Sequence, residues 1–432
     1  MENTAATNLA PIDNKARIQS IDTLRGVALF GILLMNIIAF AFPLAAYSDP
    51  TVDGSTEGIN LAVFVTMDVF VEGSMRAIFS MLFGAGLLIF VAKPDANPDY
   101  VKKLFYRRTW FLIMFGLINA YIFVWVGDIL YAYGVAGLVL YFFKDLPAKK
   151  LASYSIGIFI LLGIIHSGGH YNTKALREQV VIVEALPAGT LLTAEQEETL
   201  DAWDQMLEQQ FASPELIQED LEQKRSGYVE NFIASAKLNI FLQTFILIAN
   251  NLWDVLAMML LGMAFFKWGL LDASRSLRFY TFMTLIGFGI GLPLNIWETT
   301  LFVDSGFELY WSAGLRPTYD ISRLSMAIAY IGLIMMICKS GVLSWFRSSL
   351  AAVGKMALTN YLSQSVICNF IFMGFGFGLA GELERHQVYI IVGEIWLFQL
   401  IFSVLWLKYY RFGPVEWLWR SLTYKQKQAM TL

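Results

Sequence analysis

Residues 17–40, RIQSIDTLRGVALFGILLMNIIAF, set ionisable groups at the mouth of an otherwise apolar helix. The apolar run after Arg25 is about 19 residues long, and at 1.5 Å rise per residue it crosses a ~30 Å hydrocarbon core. At about 100° per residue, Asp22, Arg25 and Asn36 fall within about 60° of one another, so one stripe carries the polar groups. The other faces are Val, Ala, Leu, Ile and Phe. Two readings of the stripe stand. Arg25 snorkels to the headgroups and Asp22 caps the helix, or the stripe belongs to a site, since an amide as deep as Asn36 needs a partner from another helix.

The rest of the chain repeats this character. It is 432 residues long, 57% hydrophobic and 15% aromatic, with a mean hydropathy of +0.55. That excludes a soluble globule with an ordinary polar surface and indicates a polytopic membrane protein. A formal charge of −4 gives no sign of a nucleic-acid partner. The two cysteines, Cys338 and Cys368, lie inside apolar runs, so neither a disulfide scaffold nor a thiolate metal site is supported. No GxxxxGK[ST] loop and no HExxH motif occurs, so no nucleotide-hydrolysing loop and no metal site is expected. His166 and His170 are four apart at the outer end of the fifth apolar segment, the spacing of a zinc pair or a place for a catalytic base, both minor readings.

Ten apolar segments run over roughly 25–45, 61–92, 104–126, 128–143, 152–168, 239–266, 277–296, 321–338, 350–375 and 388–407. With a cytoplasmic N-terminus, every even-numbered segment returns the chain to the cytoplasm, and the basic clusters agree. Lys93, Lys102, Lys103, Arg107 and Arg108 fall inside, as do Lys144, Lys149 and Lys150; Lys267, Arg275 and Arg278; Lys339, Arg347 and Lys355; and Lys408, Arg411 and Arg420. The expected fold is therefore an all-α bundle of about 10 transmembrane helices with both termini cytoplasmic. Residues 1–20 form a cytoplasmic N-terminal segment, 21–170 the first five helices, 171–237 an extracytoplasmic loop, 238–407 the last five helices, and 408–432 an interfacial helix and tail.

The loop holds 13 Asp and Glu against 5 Lys and Arg. Thr193-Ala194-Glu195-Gln196 has the spacing of a capping box, and Ser213-Pro214-Glu215 reads as an N-cap, an N1 proline and a first-turn acid. Two short amphipathic helices follow, either as a solvated insertion or as a substrate lid. In RFGPVEWLWRSLTY, Gly413-Pro414 starts a helix, Glu416 and Arg420 are spaced to pair, and Trp417 and Trp419 suit the membrane interface.

Charge at the centre of a bilayer costs ~2.5–3.5 kcal/mol, so polar groups inside the segments need partners or a water-filled cavity. Glu72 and Arg76 are four apart on one face, with Asp68 a turn earlier. Arg108 and Asn119 share a stripe in the third segment while Arg107 points elsewhere at its mouth. Two adjacent arginines fit a phosphate-bearing ligand or a plain topogenic signal. Asp128 sits at the outer turn, as a cap or a site residue. Gln243, Asn250 and Asp254 form one stripe through the sixth segment; Asn360, Gln364 and Glu394 repeat the pattern. Together these groups point to a polar intramembrane cavity.

Three regions resemble the YeiB-like family of bacterial integral membrane proteins: SIDTLRGVALFGILLMN; then EGSMRAIFSMLFGAG, YRRTWFLIMFGLINA and GDILYAYGVAGL; and GKMALTNYLSQS with FGPVEWLWRSLTY. The opening is also similar to two families of membrane acyltransferases, the O-antigen type and the lysosomal heparan-alpha-glucosaminide N-acetyltransferases. The resemblance implies transfer of an acyl group from cytoplasmic acyl-CoA to a sugar hydroxyl or amine on the far side. The O-antigen-type motif has an Asp, an Arg three residues on, and a His eleven residues after the Arg; the matching positions are Asp22, Arg25 and Asn36. Residues 41–60, where the lysosomal enzymes carry their histidine, contain none. Asparagine cannot accept a proton near neutral pH.

The resulting expectation is a bacterial inner-membrane protein that moves an acyl group from acyl-CoA to an extracytoplasmic sugar or lipid-linked acceptor. Arg25, Arg107 and Arg108 face the donor, Asp22 orients Arg25, and Asn36 and Glu72 line the reaction cavity with Glu72 as base. The rival is a transporter or flippase of a small or lipid-linked substrate, with Gln243, Asn250, Asp254 and Glu394 along the path. A third is a structural membrane partner. Membrane lipids surround any of these, and a homo-oligomer is left open.

Overall fold

In the computed structural model, which describes residues 18–92 and 97–432, helix α1 (Gln19–Ala41) is buried on almost every side. A helix that is apolar all round has no face for water and belongs inside a bundle. Expectations placed on residues 1–17 and on Lys93 lie outside the described residues. The remaining helices are α2 (Gly58–Phe70), α3 (Ser74–Val91), α4 (Pro98–Leu117), α5 (Leu130–Leu140), α6 (Ala148–Glu184), α7 (Ala194–Gln209), α8 (Pro214–Lys224) and α9 (Tyr228–Phe241). After them come α10 (Leu252–Lys267), α11 (Leu277–Asp304), α12 (Tyr319–Ser340), α13 (Ser344–Lys355), α14 (Ala357–Phe372), α15 (Arg385–Trp406) and α16 (Pro414–Tyr424). No strand occurs among the described residues beyond one isolated bridge, Tyr410 to Thr431.

Glycines let the central helices meet backbone to backbone. A Cβ on Gly26 would stand 2.2 Å from the Leu350 carbonyl oxygen, and one on Gly354 would stand 1.9 Å from that of Asp22. So α13 crosses the first turns of α1 at the level of Arg25. The α3–α10 crossing is built alike, with Gly84 against Met259 and Gly262 against Met81. Close approach of this kind replaces the hydrophobic drive that lipid cannot supply.

Among the described residues, seven helical stretches are long and apolar enough to cross a membrane: 19–41, 58–91, 148–184, 228–267, 277–304, 319–340 and 385–406. The ten expected segments are not all of this kind. Helix α5 has 11 residues, about 16 Å at 1.5 Å each; α14 has 16, and α4 begins with a charged turn. Each of the three buries one face and exposes another, with Trp110, Val139 and Phe370 on the surface.

Two ends of the bundle can be told apart. The basic end carries the first turn of α1, Lys144, Lys267, Lys355 and α16, and Lys267 Nζ ties it together by donating to the carbonyls of Lys144 (2.9 Å) and Leu146 (2.6 Å). The loop end carries α7 and α8. Both caps read from sequence are formed there: Thr193 and Gln196 make the reciprocal capping box, and Ser213 Oγ accepts from the Leu216 amide ahead of Pro214. The acidic loop is docked on the bundle. Buried Lys224 donates to the carbonyls of Ala39 (2.8 Å) and Phe42, at the C-terminus of α1 where a cation is favoured. Arg225 donates to the Ala380 carbonyl (3.0 Å) and pairs with Glu382 (2.6 Å).

Candidate functional site

A cavity of about 180 Å³ opens at the basic end between α1, α3, α4, α5, α14 and α16. Its mouth is cationic, with Arg25, Arg108, Lys355, Arg411 and Arg420. Its interior is apolar, with Leu82, Phe83, Leu87, Phe105 and Leu112, and its far end is closed by Leu130, Tyr133 and Tyr361. Leu130 and Tyr133 begin α5, whose other end meets Lys267, so the cavity runs a good part of the bundle's depth.

The mouth is set by contacts between distant parts of the chain. Asp22 Oδ1 accepts from Arg25 Nη1 at 3.0 Å. The Arg108 guanidinium lies 3.7 Å from the Trp419 ring centroid, a cation–π stack that spreads its plane across the mouth. Its neighbour Arg107 faces away: its Nη1 donates to the Thr423 carbonyl at 2.9 Å, beside a shallow surface with Lys102 and Lys103. A step of one residue on a helix turns a side chain by about 100°, so only Arg108 reaches the cavity. The expected trio of Arg25, Arg107 and Arg108 is thus a pair plus three cations from α13–α16 and the turn before α16.

Glu416 holds α16 in place. Its Oε1 accepts from the amides of Leu358 (2.7 Å) and Thr359 (3.0 Å), and its Oε2 accepts from the Thr359 hydroxyl (2.5 Å). Those amides are open donors at the start of α14, whose own N-cap Met356 offers no side-chain acceptor. Burial pushes the Glu416 carboxyl above its ordinary value, partly offset by these bonds. The expected Glu416–Arg420 pair gives way to this contact, while the Arg420 guanidinium lies 4.5 Å from the Phe412 ring centroid.

Beyond the closed end of the cavity stands a polar partition. Asn119 Nδ2 donates to Asp128 Oδ1 at 2.9 Å, and Asp128 Oδ2 accepts from the Tyr131 amide at 2.8 Å. Tyr361 Oη accepts from the Ile129 amide at 3.2 Å. Asp128 lies in the connection from Phe123 to Ile129, outside the long helical spans. Burial pushes its carboxyl up to about 7, against the lowering effect of its hydrogen bonds.

Toward the loop end lies a second polar group, an ion-pair cluster. Arg323 bonds both Asp254 and Asp320, with Nε to Asp320 at 3.1 Å. Asp320 also meets His166 Nδ1 at 3.0 Å, and Arg76 is 3.9 Å from Asp254. Asp68 pairs with Arg316 at 2.8 Å. Glu72 does not pair with Arg76; its carboxylate accepts from the hydroxyls of Tyr47 (3.1 Å) and Tyr319 (2.8 Å). Asn36 and Arg76 line a space of about 40 Å³, and Asp68 and Glu72 one of about 10 Å³. A water needs ~10–15 Å³, so these are spaces of the size of one or a few waters, and Glu72 and Asn36 line separate ones.

The sixth-segment stripe is broken. Residues Leu242–Asn251 are π-helical, and the wider turn shifts the register. Asn250 is exposed, Asp254 is buried in the ion cluster, and Gln243 accepts from the Tyr121 hydroxyl at 3.2 Å. Glu394 also faces outward. Asn360 and Gln364 bond across to the neighbouring helix: Asn360 Nδ2 donates to Ser403 Oγ (3.0 Å), Gln364 Nε2 to Gln399 Oε1 (3.0 Å), and Gln399 Nε2 to the Asn360 carbonyl (2.8 Å). This ladder joins α14 to α15. His166 and His170 part company, since His170 Nδ1 contacts the Tyr310 carbonyl at 2.7 Å. Sequence reasoning missed Asp320 and Arg323, although their Asp-x-x-Arg spacing repeats that of Asp22 and Arg25.

Fold and site define a helical membrane protein with a cation-mouthed, apolar cavity closed by a polar partition. A family described as "Protein of unknown function (DUF418)" matches residues 265–426. The chain is 29% identical over 419 residues to "Uncharacterized protein YeiB" of Escherichia coli (strain K12), covering 94% of this chain and 95% of that one. It is 26% identical over 430 residues to "Uncharacterized protein YxaH" of Bacillus subtilis (strain 168), covering 98% of both. These relatives support the YeiB-like resemblance across the whole chain. No solved structure matches.

Proposed function

We propose that the basic end faces the cytoplasm of a bacterium, in a multi-pass inner-membrane protein, and that the cavity there takes an acyl-CoA as donor for transfer to an extracytoplasmic acceptor. The observation that carries this reading is the pairing of five cationic side chains at the mouth with an apolar interior. An amphiphile with an anionic phosphate head and an acyl tail matches both, because arginines bind phosphate through several donors while the tail is drawn from water. A cavity of about 150 Å³ holds a benzene-sized guest, so 180 Å³ suits a short acyl chain with its head group left at the mouth. The resemblance of the opening motif to membrane acyltransferases supports the same donor. The missing histidine is compatible with it if another residue takes the proton.

The test is equilibrium binding of octanoyl-CoA to the detergent-purified protein, with Arg108→Ala and Arg107→Ala in parallel. Saturable binding weakened about tenfold or more by Arg108→Ala and untouched by Arg107→Ala is expected, because each charge-assisted hydrogen bond contributes about 1.5–3 kcal/mol. No binding, or equal loss in both variants, would sink the reading.

A further inference from the structure

The connection Phe123–Ile129 separates two spaces. On one side Leu130 and Tyr361 close the basic-end cavity. On the other, Val124, Trp125 and Val126 floor a groove of about 570 Å³ roofed by α7 and α8. We propose that this partition is the site of acyl transfer, with Asp128 as the base that takes the proton from a hydroxyl- or amine-bearing acceptor entering by the groove. This rests on the acyl-donor reading of the cavity.

Three independent features mark the partition. Val124 has a φ of 53°, a conformation that a β-branched residue adopts only under strain, and such strain gathers at functional sites. Two amide oxygens beside it, Asn119 Oδ1 and Asn369 Oδ1, are buried without a hydrogen-bond partner. Their amide nitrogens are committed, to Asp128 and to the Phe123 carbonyl. These two acceptors, and the Trp125 Nε1–H that is likewise buried without a partner in the same connection, make a set that a hydroxyl or an amine, both donor and acceptor, completes and a thioester, which has no donor, does not. Third, Asp128 is half-buried in the partition, and burial raises its carboxyl toward neutrality, where a general base works best. The groups facing it are the Asn119 amide, the backbone amides of Leu130 and Tyr131, and the Tyr361 phenol.

The groove fits a polar acceptor. It presents Glu208, Gln209, Glu219 and Gln223 beside the rings of Phe211 and Phe241. Carboxylates and amides that accept hydrogen bonds, set against aromatic faces, suit a polyhydroxylated or amino-sugar head. In the step itself the acceptor's oxygen or nitrogen attacks the thioester carbonyl carbon. The new bond to that carbon forms as the carbon–sulfur bond breaks. Asp128 takes the acceptor's proton and returns it to the departing thiolate, leaving acylated acceptor, free CoA thiol and an unchanged carboxylate.

The experiment uses the full-length purified protein, octanoyl-CoA as donor and hydroxylamine as the amine probe, with hydroxamate and free thiol measured as ratios to the protein-free rate. Wild type is expected to form both in equal amounts, with the ratio falling about tenfold per pH unit below pH 7 as the base is protonated. Asp128→Asn is expected to lose about 100-fold or more in rate while binding octanoyl-CoA as tightly as wild type. Asp128→Glu is expected to recover part of the rate, and it carries the test with the pH profile should Asp128→Asn not fold. Wild-type binding without hydroxamate, or an Asp128→Asn rate equal to wild type, overturns the transfer site and leaves the donor cavity standing. Failure to bind octanoyl-CoA overturns both.

Discussion

Removing the Glu416 carboxylate tests how the cavity is walled. In Glu416→Ala, the amides of Leu358 and Thr359 and the Thr359 hydroxyl lose their acceptor together, in a place where Glu416 itself is 9% exposed. Each buried donor left unsatisfied costs about 1–3 kcal/mol. Against that sum stands the relief of no longer burying a charge, in line with the burial that raises the Glu416 carboxyl. The net expectation is a loss of about 2–4 kcal/mol. At roughly 2–4 °C per kcal/mol this lowers the midpoint of thermal unfolding by about 4–16 °C. Glu416→Gln keeps an oxygen for both amides and should cost about 1 kcal/mol. Gly413→Ala should resemble Glu416→Ala, because a Cβ there would stand 2.2 Å from Glu416 Oε2 and push the carboxylate aside. The pH dependence has a definite sign. A carboxyl raised on folding binds its proton more tightly in the folded state, so its contribution is present at low pH and is lost as pH rises from about 4.5 through the raised value. Glu416→Gln should flatten that decline. Intrinsic tryptophan fluorescence during heating in detergent reads all three variants. A Glu416→Ala midpoint within about 1 °C of wild type would refute the capping argument.

Other expectations follow from contacts of different kinds. Arg323→Met leaves Asp254 and Asp320 facing each other without their shared cation; a loss of about 3–5 kcal/mol should show as little monodisperse protein on gel filtration, and a normal yield would contradict it. Gly354→Ala must part α13 from α1 where a Cβ would meet the Asp22 carbonyl at 1.9 Å. That overpacking costs about 1–3 kcal/mol and should weaken octanoyl-CoA binding by displacing Asp22 and Arg25; unchanged affinity would speak against the mouth as described. Because screening shortens from about 10 Å at 0.1 M salt to about 3 Å at 1 M, octanoyl-CoA affinity should fall across that range, and a salt-independent affinity would remove the cationic mouth from the account.

Much of the architecture was legible because it rests on local rules. An all-round apolar α1, the Thr193 capping box, the Ser213-Pro214 start and the Gly413-Pro414 start each need only a few neighbouring residues to be recognised, and each is formed. The D-x-x-R spacing likewise placed Asp22 on Arg25. What failed depended on register or on distant partners. Spacings of seven and four residues predict a shared face only while the helix keeps 3.6 residues per turn, and the π-helical stretch before Leu252 sends Asn250 outward while Asp254 turns in. Glu72 and Arg76 are neighbours on a helix wheel, yet Gly73 takes a left-handed φ of 67° between α2 and α3, so no continuous wheel exists there. Asn360 and Gln364 read as cavity residues because their partners, Gln399 and Ser403, sit about 40 positions away on another helix. Asp128 was visible only as a polar residue at a turn; what distinguishes it, the enclosure by Asn119 and Tyr361, is tertiary. The Lys224 anchor likewise turned an acidic insertion into a docked roof through carbonyls at the end of α1.

The most direct measurement is photocrosslinking with an octanoyl-CoA analogue carrying a diazirine at the end of its chain, followed by mass-spectrometric mapping of the labelled residues. The account predicts label on the inner lining, at Phe83, Leu112 and Tyr133, competed away by unlabelled octanoyl-CoA and reduced by Arg108→Ala. Label confined to the lipid-facing surfaces of α6 and α11, or to residues around Glu72 and Asp254, would contradict it.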